Sequence, residues 1–359
     1  MYASSVNGIL EAYGIRAGQL PKGPKNTITD VAGVKVGHVT LADGDVQTGV
    51  TAVLPASDNL FKNKFIAGSQ VINGFGKTTG LLQVDEMGTI ETPLILTNTL
   101  SVGDAWVGLV QYMLNQNPEI GEGDTAKTVN QVVFECNDGY LNDIRGRHVK
   151  PEHVQQAIEA AGENFEQGAV GAGRGTSCYQ FKGGIGSSSR LVDIPAGKYT
   201  VGVLVQTNFG SMQDLRVDGE WTGEAAAKII GEEKLKEQGS CIVIIATDAP
   251  MTARQLHRLS LRASVGLSRT GAYISNGSGE IALAFSTAQR IPHDCDGVLN
   301  LKAIGDDSIS ALFMATAEAT EEAVLSSMLH AETVTGRAGH TRLSLSSFAG
   351  LAPGISAKK

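Results

Sequence analysis

Six short runs of apolar, mostly β-branched residues, at 49–54, 93–97, 131–135, 199–206, 241–246 and 280–285, recur along the chain between turn signals. Such runs read as strands buried on both faces. Helical patterns at 103–115, 151–161, 252–267 and 308–329 alternate with them only in part. Pro151 opens the second of these, a position that needs no N–H. In the fourth, Leu312, Ala315, Ala319, Ala323 and Leu325 fall close to one stripe. The pattern predicts a mixed α/β chain without the regular alternation of a doubly wound sheet.

With 359 residues, 42% of them apolar, the chain can bury a large core as one big domain or two medium ones, and no repeat period divides it. The formal net charge is −8 and no Lys/Arg run of the kind that neutralises phosphates is present, which argues against a nucleic-acid partner. Residues 1–19 carry no cationic stretch followed by an apolar core, and nothing approaches the roughly 18 uninterrupted apolar residues of a membrane span. A cytoplasmic protein is expected. The four cysteines (Cys136, Cys178, Cys241, Cys295) and seven histidines are dispersed, without C-x-x-C or H-E-x-x-H spacing, so neither a zinc site nor a disulfide framework is expected. Glycine is the outlier: 44 residues, against an average of about 7%. Tight turns and a backbone-lined pocket follow.

One junction stands apart. Residues 222–238 begin helix-prone, turn densely charged through Glu232, Glu233, Lys234, Lys236 and Glu237, and read as an exposed linker. Directly after it, Gly239-Ser240 opens the most apolar strand of the chain. A serine hydroxyl is a weak nucleophile until a base lies within hydrogen-bond reach. If the Gly239–Ser240 bond is broken, the serine's own α-amine, with an ordinary pKa of about 8, becomes that base. The same hydroxyl can make the cut by attacking the Gly239 carbonyl, and glycine leaves that carbonyl unobstructed. Taken alone, Gly-Ser reads more simply as a turn entering a strand.

Two further groups carry chemistry. In Ser275-Asn276-Gly277-Ser278-Gly279-Glu280, a period of two puts Ser278 and Glu280 on the same side, where they could relay a proton or orient Ser240. At strand ends, the amide of Asn208 can donate to a developing oxyanion, and a carboxylate such as Glu135 can hold a substrate ammonium. Turns and caps would use the same residue types. The glycine-rich stretch 168–175 fails the G-x-G-x-x-G test at Thr176, and Gly76-Lys77-Thr78 lacks the first glycine of a phosphate loop, which Val71 replaces, so phosphate binding is set aside.

Eight blocks in order over nearly the whole chain resemble the L-aminopeptidase D-esterase/amidase family that includes the β-peptidyl aminopeptidases. They are NTITDVAGVKVGH (26–38), LTNTLSVG (96–103), ECNDGYLND (135–143), GAVGAGRGT (168–176), FKGGIG (181–186), TNFG (207–210), GSCIVIIATDAP (239–250) and SNGSGE (275–280). The resemblance implies an α/β fold of four layers, αββα, with two β-sheets sandwiched between helix layers. It implies one catalytic domain over 1–359 that cuts itself into 1–239 and 240–359, the pieces staying together in a higher homo-oligomer, a tetramer of heterodimers. By the same resemblance Ser240 is the nucleophile, Ser278 and Glu280 assist it, and Asn208 is the oxyanion donor. Tyr140 lines the pocket and Glu135 receives the substrate's free amine. Small peptides, amides or esters are the implied substrates, with no metal or organic cofactor. Cys136 and Cys241 replace other small or apolar residues and are assigned packing roles.

Two rivals bear on the same residues. An ornithine-type acetyltransferase shares the architecture but uses a threonine nucleophile, which Gly-Ser disfavours. A non-catalytic small-molecule binder would keep the fold and remain one uncut chain.

Overall fold

The run 241–246 lies within a strand, Gly239–Thr247, whose side chains divide between two cores. Ile242, Ile244 and Ala246 enter one, and Cys241, Val243 and Ile245 enter the other, as a period of two requires of a strand covered on both faces. Each such isoleucine contributes about 1.5–3 kcal/mol by leaving water. The computed structural model describes residues 8–124, 127–232 and 239–358. In chain order its strands are β1 (Lys35–Asp43), β2 (Val46–Leu54), β3 (Asn63–Val71), β4 (Thr89–Ile90), β5 (Leu94–Asn98), β6 (Val132–Cys136), β7 (Ser177–Cys178), β8 (Phe181–Lys182), β9 (Ile185–Ile194), β10 (Gly197–Asn208), β11 (Gly239–Thr247), β12 (Ser278–Pro292), β13 (Val334–Thr335) and β14 (Thr341–Arg342). The helices are α1 (Ile9–Ala12), α2 (Leu81–Met87), α3 (Val102–Gln116), α4 (Pro151–Glu159), α5 (Thr222–Ile230), α6 (Ala253–Leu261), α7 (Ala263–Arg269) and α8 (Ser310–Leu329).

Two sheets carry the fold. One has the order β1-β2-β5-β6 and the other β4-β3-β12-β11-β10-β9, with β5–β6 and β11–β12 parallel and the remaining neighbours antiparallel. Val53, Leu96 and Phe134 of the first sheet meet Leu204, Ile244 and Phe285 of the second in a core between them. The outer face of the first sheet (Val50, Ile95, Val133) packs on Leu109 and Met113 of α3 and Val154 of α4. The outer face of the second (Val203, Val243, Ala284) packs on Leu256 of α6, Leu267 of α7 and Leu312 of α8. The layers are therefore helix, sheet, sheet, helix, the αββα sandwich expected from the resemblance.

Three local expectations are corrected. The helix predicted at 252–267 is two helices broken at Arg262, where ψ opens to −13° and lets α7 leave β3 to lie on α8. Helix α8 has no single apolar stripe, because it is buried nearly all round. Its Glu318 and Glu322 pair with the fully buried Arg190 at 3.2 and 2.7 Å, and breaking such a pair by removing one partner costs about 3–5 kcal/mol. Strands β1, β3 and β9 were not foreseen. The helix-prone start of 222–238 forms α5, whereas its charged residues Glu233, Lys234, Lys236 and Glu237 lie outside the described residues. No helix among the described residues is long and apolar enough to cross a membrane.

Candidate active site

Three neighbouring strand ends build the site. β11 opens with Gly239-Ser240 between the end of β10 and the start of β12. Ser240 is paired with Asn208 on the antiparallel side and with Gly279 on the parallel side. Gly239 has a φ of 132°, and a Cβ there would stand 1.7 Å from the Asn208 carbonyl oxygen, so the position admits only glycine. A Cβ on Gly279 would stand 2.6 Å from the Phe75 carbonyl oxygen and 3.0 Å from Ser240 Oγ; its absence leaves space beside the hydroxyl. Ser240 is 7% exposed and opens onto a cleft of about 580 Å³.

The cleft gathers Asn208, Glu135, Tyr140 and Ser240, and its glycine lining (Gly210, Gly239, Gly277) is the backbone-lined pocket that the composition predicted. The Ser177 N–H donates to Asn208 Oδ1 at 3.0 Å, which fixes the amide and leaves its Nδ2 as the donor side. Glu135 is nearly buried at the end of β6. Its Oε1 accepts the Lys77 N–H at 2.8 Å and its Oε2 accepts the Thr99 hydroxyl, so the carboxylate is anchored by neutral donors alone. Tyr140 stacks on His340 with ring centroids 4.6 Å apart, and the Arg342 guanidinium lies 3.7 Å from the tyrosine ring centre.

Ser278 and Glu280 do meet: the serine hydroxyl donates to Glu280 Oε1, both groups being buried. The register sets them beside Gly239 and Cys241 rather than beside Ser240.

The two buried thiols beside the serine offer no nucleophile. Burial, with Glu135 and Glu280 acting in the same sense, pushes the Cys136 thiol far above its usual range, and burial does the same to Cys241, so neither supplies a thiolate. Cys136 Sγ instead donates to the carbonyls of Gln206 and Ser240 at 3.5 and 3.6 Å. Behind Asn208, the fully buried Lys182 donates to the carbonyls of Gly173, Thr176 and Gly183 at 2.9, 2.7 and 2.6 Å and braces the turn that presents Ser177. Burial, then the charge of Arg174, holds its pKa well below the usual lysine value. The glycine-rich segment is no phosphate cradle: the N–H groups of Gly171 and Ala172 are engaged by the hydroxyls of Thr40 and Thr51.

Residues 26–342 match the sequence pattern of Peptidase family S58. The chain belongs to that family. Beta-peptidyl aminopeptidase BapA of Sphingosinicella microcystinivorans is 40% identical over 343 residues, 89% of this chain and 85% of that protein. Among solved structures, a protein from Pyrococcus horikoshii OT3 is 54% identical with a TM-score of 0.88, over 93% of this chain and 95% of that one. The beta-aminopeptidase of a Burkholderia species is 40% identical with a TM-score of 0.85, over 92% and 94%. The l-aminopeptidase d-ala-esterase/amidase of Ochrobactrum anthropi, described as a prototype for the serine aminopeptidases and a variant of the Ntn hydrolase fold, is 32% identical with a TM-score of 0.85, over 92% and 93%. As an S58 member the chain is a hydrolase of the serine aminopeptidase type.

Four residues of the candidate site carry no sequence signal for their place in it: Thr99, Ser177, Arg342 and Lys77. Thr99 stands inside a matching block and Ser177 directly follows one, and only their contacts with Glu135 and Asn208 show what they do. In the sequence Lys77 stands out only within an incomplete phosphate-loop pattern, whereas in the fold it acts through its backbone N–H, which no sequence pattern reveals. Arg342 comes from the far end of the chain and lies in no block.

Proposed function

We propose that this S58 chain cuts itself between Gly239 and Ser240 and then releases N-terminal residues from small peptides, amides or esters through an acyl-enzyme on Ser240. The observation that carries the reading is the position of Ser240: it heads β11, its side chain opens into the cleft, and Asn208 stands opposite it. Once freed, the Ser240 α-amine, with an ordinary pKa of about 8, takes the hydroxyl proton as the oxygen attacks the substrate carbonyl. Asn208 Nδ2 donates to the tetrahedral oxyanion. The amine leaves with the proton, and water resolves the ester on Ser240. Glu135 binds the substrate's terminal ammonium, and the Ser278–Glu280 pair receives a hydrogen bond from the new α-amine and holds it in place.

The pieces 1–239 and 240–359 stay together as a heterodimer and assemble further, in the cytoplasm. The 40% identity to proteins named for beta-peptides or as a beta-aminopeptidase supports β-aminoacyl peptides within the substrate range. The test is a denaturing gel with N-terminal sequencing, followed by a panel of α- and β-aminoacyl amides of both hands. A chain beginning Ser-Cys-Ile-Val together with amine release is expected. An active protein without that chain would overturn the mechanism, and an uncut, inactive one would favour the binder.

A further inference from the structure

The cleft carries charge of both signs. Against Glu135, the one carboxylate lining it among the described residues, stands Arg342, half-buried at the end of β14. Its Nε donates to Ser177 Oγ at 3.2 Å and its guanidinium lies over the Tyr140 ring, so both the edge and one face of the group are fixed. Its two Nη atoms donate to no described residue, and Glu232, the carboxylate whose charge reaches it, accepts from Gln180 Nε2 at 3.3 Å and makes no ion pair with it among the described residues. A planar, oriented guanidinium whose terminal nitrogens donate to no described residue presents a fork shaped for a carboxylate.

Sheet order places the two charges on either side of Ser240. β11 runs between β10 and β12. Arg342 is tied through Ser177 to Asn208, the last residue of β10. Glu135 is tied through the Lys77 N–H to segment 75–77, where the Phe75 N–H bonds the Ser278 carbonyl at the start of β12. The second cation of the cleft, Lys77, lies on this Glu135 side with its Nζ over the Phe75 ring at 4.6 Å. Ammonium site, nucleophile and guanidinium thus follow one another across the cleft. A short unblocked peptide presents its terminal ammonium, its scissile carbonyl and its C-terminal carboxylate in the same sequence.

The geometry points to Arg342 as the residue that receives the C-terminal carboxylate of the leaving residue, which makes free dipeptides and other short peptide acids, rather than their amides or esters, the preferred substrates. This inference rests on the proposed roles of Ser240 and Glu135. Ser177 couples the two functions, because its N–H sets the Asn208 amide while its hydroxyl steers Arg342.

The test uses the purified, processed protein with a dipeptide acid and the same dipeptide as its C-terminal amide, in wild type, Arg342→Met and Arg342→Lys. Wild type is expected to show kcat/KM about 10- to 100-fold higher for the acid, mainly through KM. Arg342→Met is expected to bring the acid-to-amide ratio close to one, and Arg342→Lys to keep part of it. A wild type that does not distinguish the pair, as when the carboxylate left on Gly239 by the cut fills the fork, overturns the inference. So does a ratio that Arg342→Met leaves as in wild type. Failure of wild type on both substrates overturns the reading of the Ser240 site itself, and the inference with it.

Discussion

Asn208 and Ser240 form the terminal pair of the antiparallel β10–β11 ladder, so the amide and the hydroxyl project from directly opposed positions at the edge of the cleft. Opposed residues on such a ladder lie about 4.5–5.5 Å apart, close enough for one group to attack a carbonyl whose oxygen the other receives. Asn208→Ala is expected to lower kcat by about 10²- to 10³-fold with KM little changed. Steady-state kinetics on processed material check this, and an unaltered kcat would remove Asn208 from that role.

The backbone at the junction tolerates little. With a φ of 132° and the Asn208 carbonyl oxygen where a Cβ would lie, Gly239→Ala must shift one of the strands. It is expected to accumulate as an uncut chain even though Ser240 is intact. Ser240→Ala is also expected to stay uncut, but with a melting temperature close to that of the unprocessed wild type, since it loses only a hydroxyl at the cleft surface. Gel mobility and thermal melts of the two variants separate the backbone requirement from the chemical one.

Glu135→Gln keeps the shape of the side chain and an oxygen for the Lys77 N–H while removing the negative charge. A charge-assisted contact to an ammonium is worth roughly 1.5–3 kcal/mol, so KM for substrates with a free amine should rise about 10-fold or more while kcat changes less. Loss confined to kcat would show that Glu135 does not bind the amine.

Asp138 gives the protein a pH dependence of its own. Burial lifts its carboxyl to about 7, against the opposing hydrogen bonds of Thr48 and Asn142. Between about pH 4 and pH 7 the folded chain therefore holds a proton that the unfolded chain, with an ordinary aspartate near 3.9, has released. The stabilisation is complete below about pH 4 and is lost as pH rises towards 7. Asp138→Asn is neutral throughout and should flatten that part of the profile. Chemical denaturation of both proteins from pH 4 to pH 8 is the measurement, and parallel curves would show that Asp138 titrates normally.

The strands that sequence reveals are those sealed on both faces. β2, β5, β6, β10, β11 and β12 are apolar almost without interruption because one face meets the other sheet and the other meets helices. β9 escapes notice because Ser187, Ser188, Ser189 and Arg190 read as a loop. They are buried nonetheless: Ser187 bonds the Ile28 N–H and the Val203 carbonyl, Ser188 bonds the Asn26 amide, and Arg190 holds α8. Local pattern cannot price a buried polar group whose partner lies 160 residues away. For the same reason Ser240 and Asn208 are legible as candidates at strand ends, and family resemblance names them, while Thr99, Ser177 and Arg342 take their meaning only from the fold that brings them together.

The bond between Gly239 and Ser240 divides the six-stranded sheet unevenly. β11 and β12 belong to the C-terminal piece, yet they are wedged between β3 and β10 of the N-terminal one. Neither piece can complete this six-stranded sheet without the other, so halves made apart are not expected to combine on simple mixing. Scission on the proposed pathway comes last in the protein's biogenesis and acts as a checkpoint: only a molecule that has already threaded its interior strands correctly becomes an enzyme.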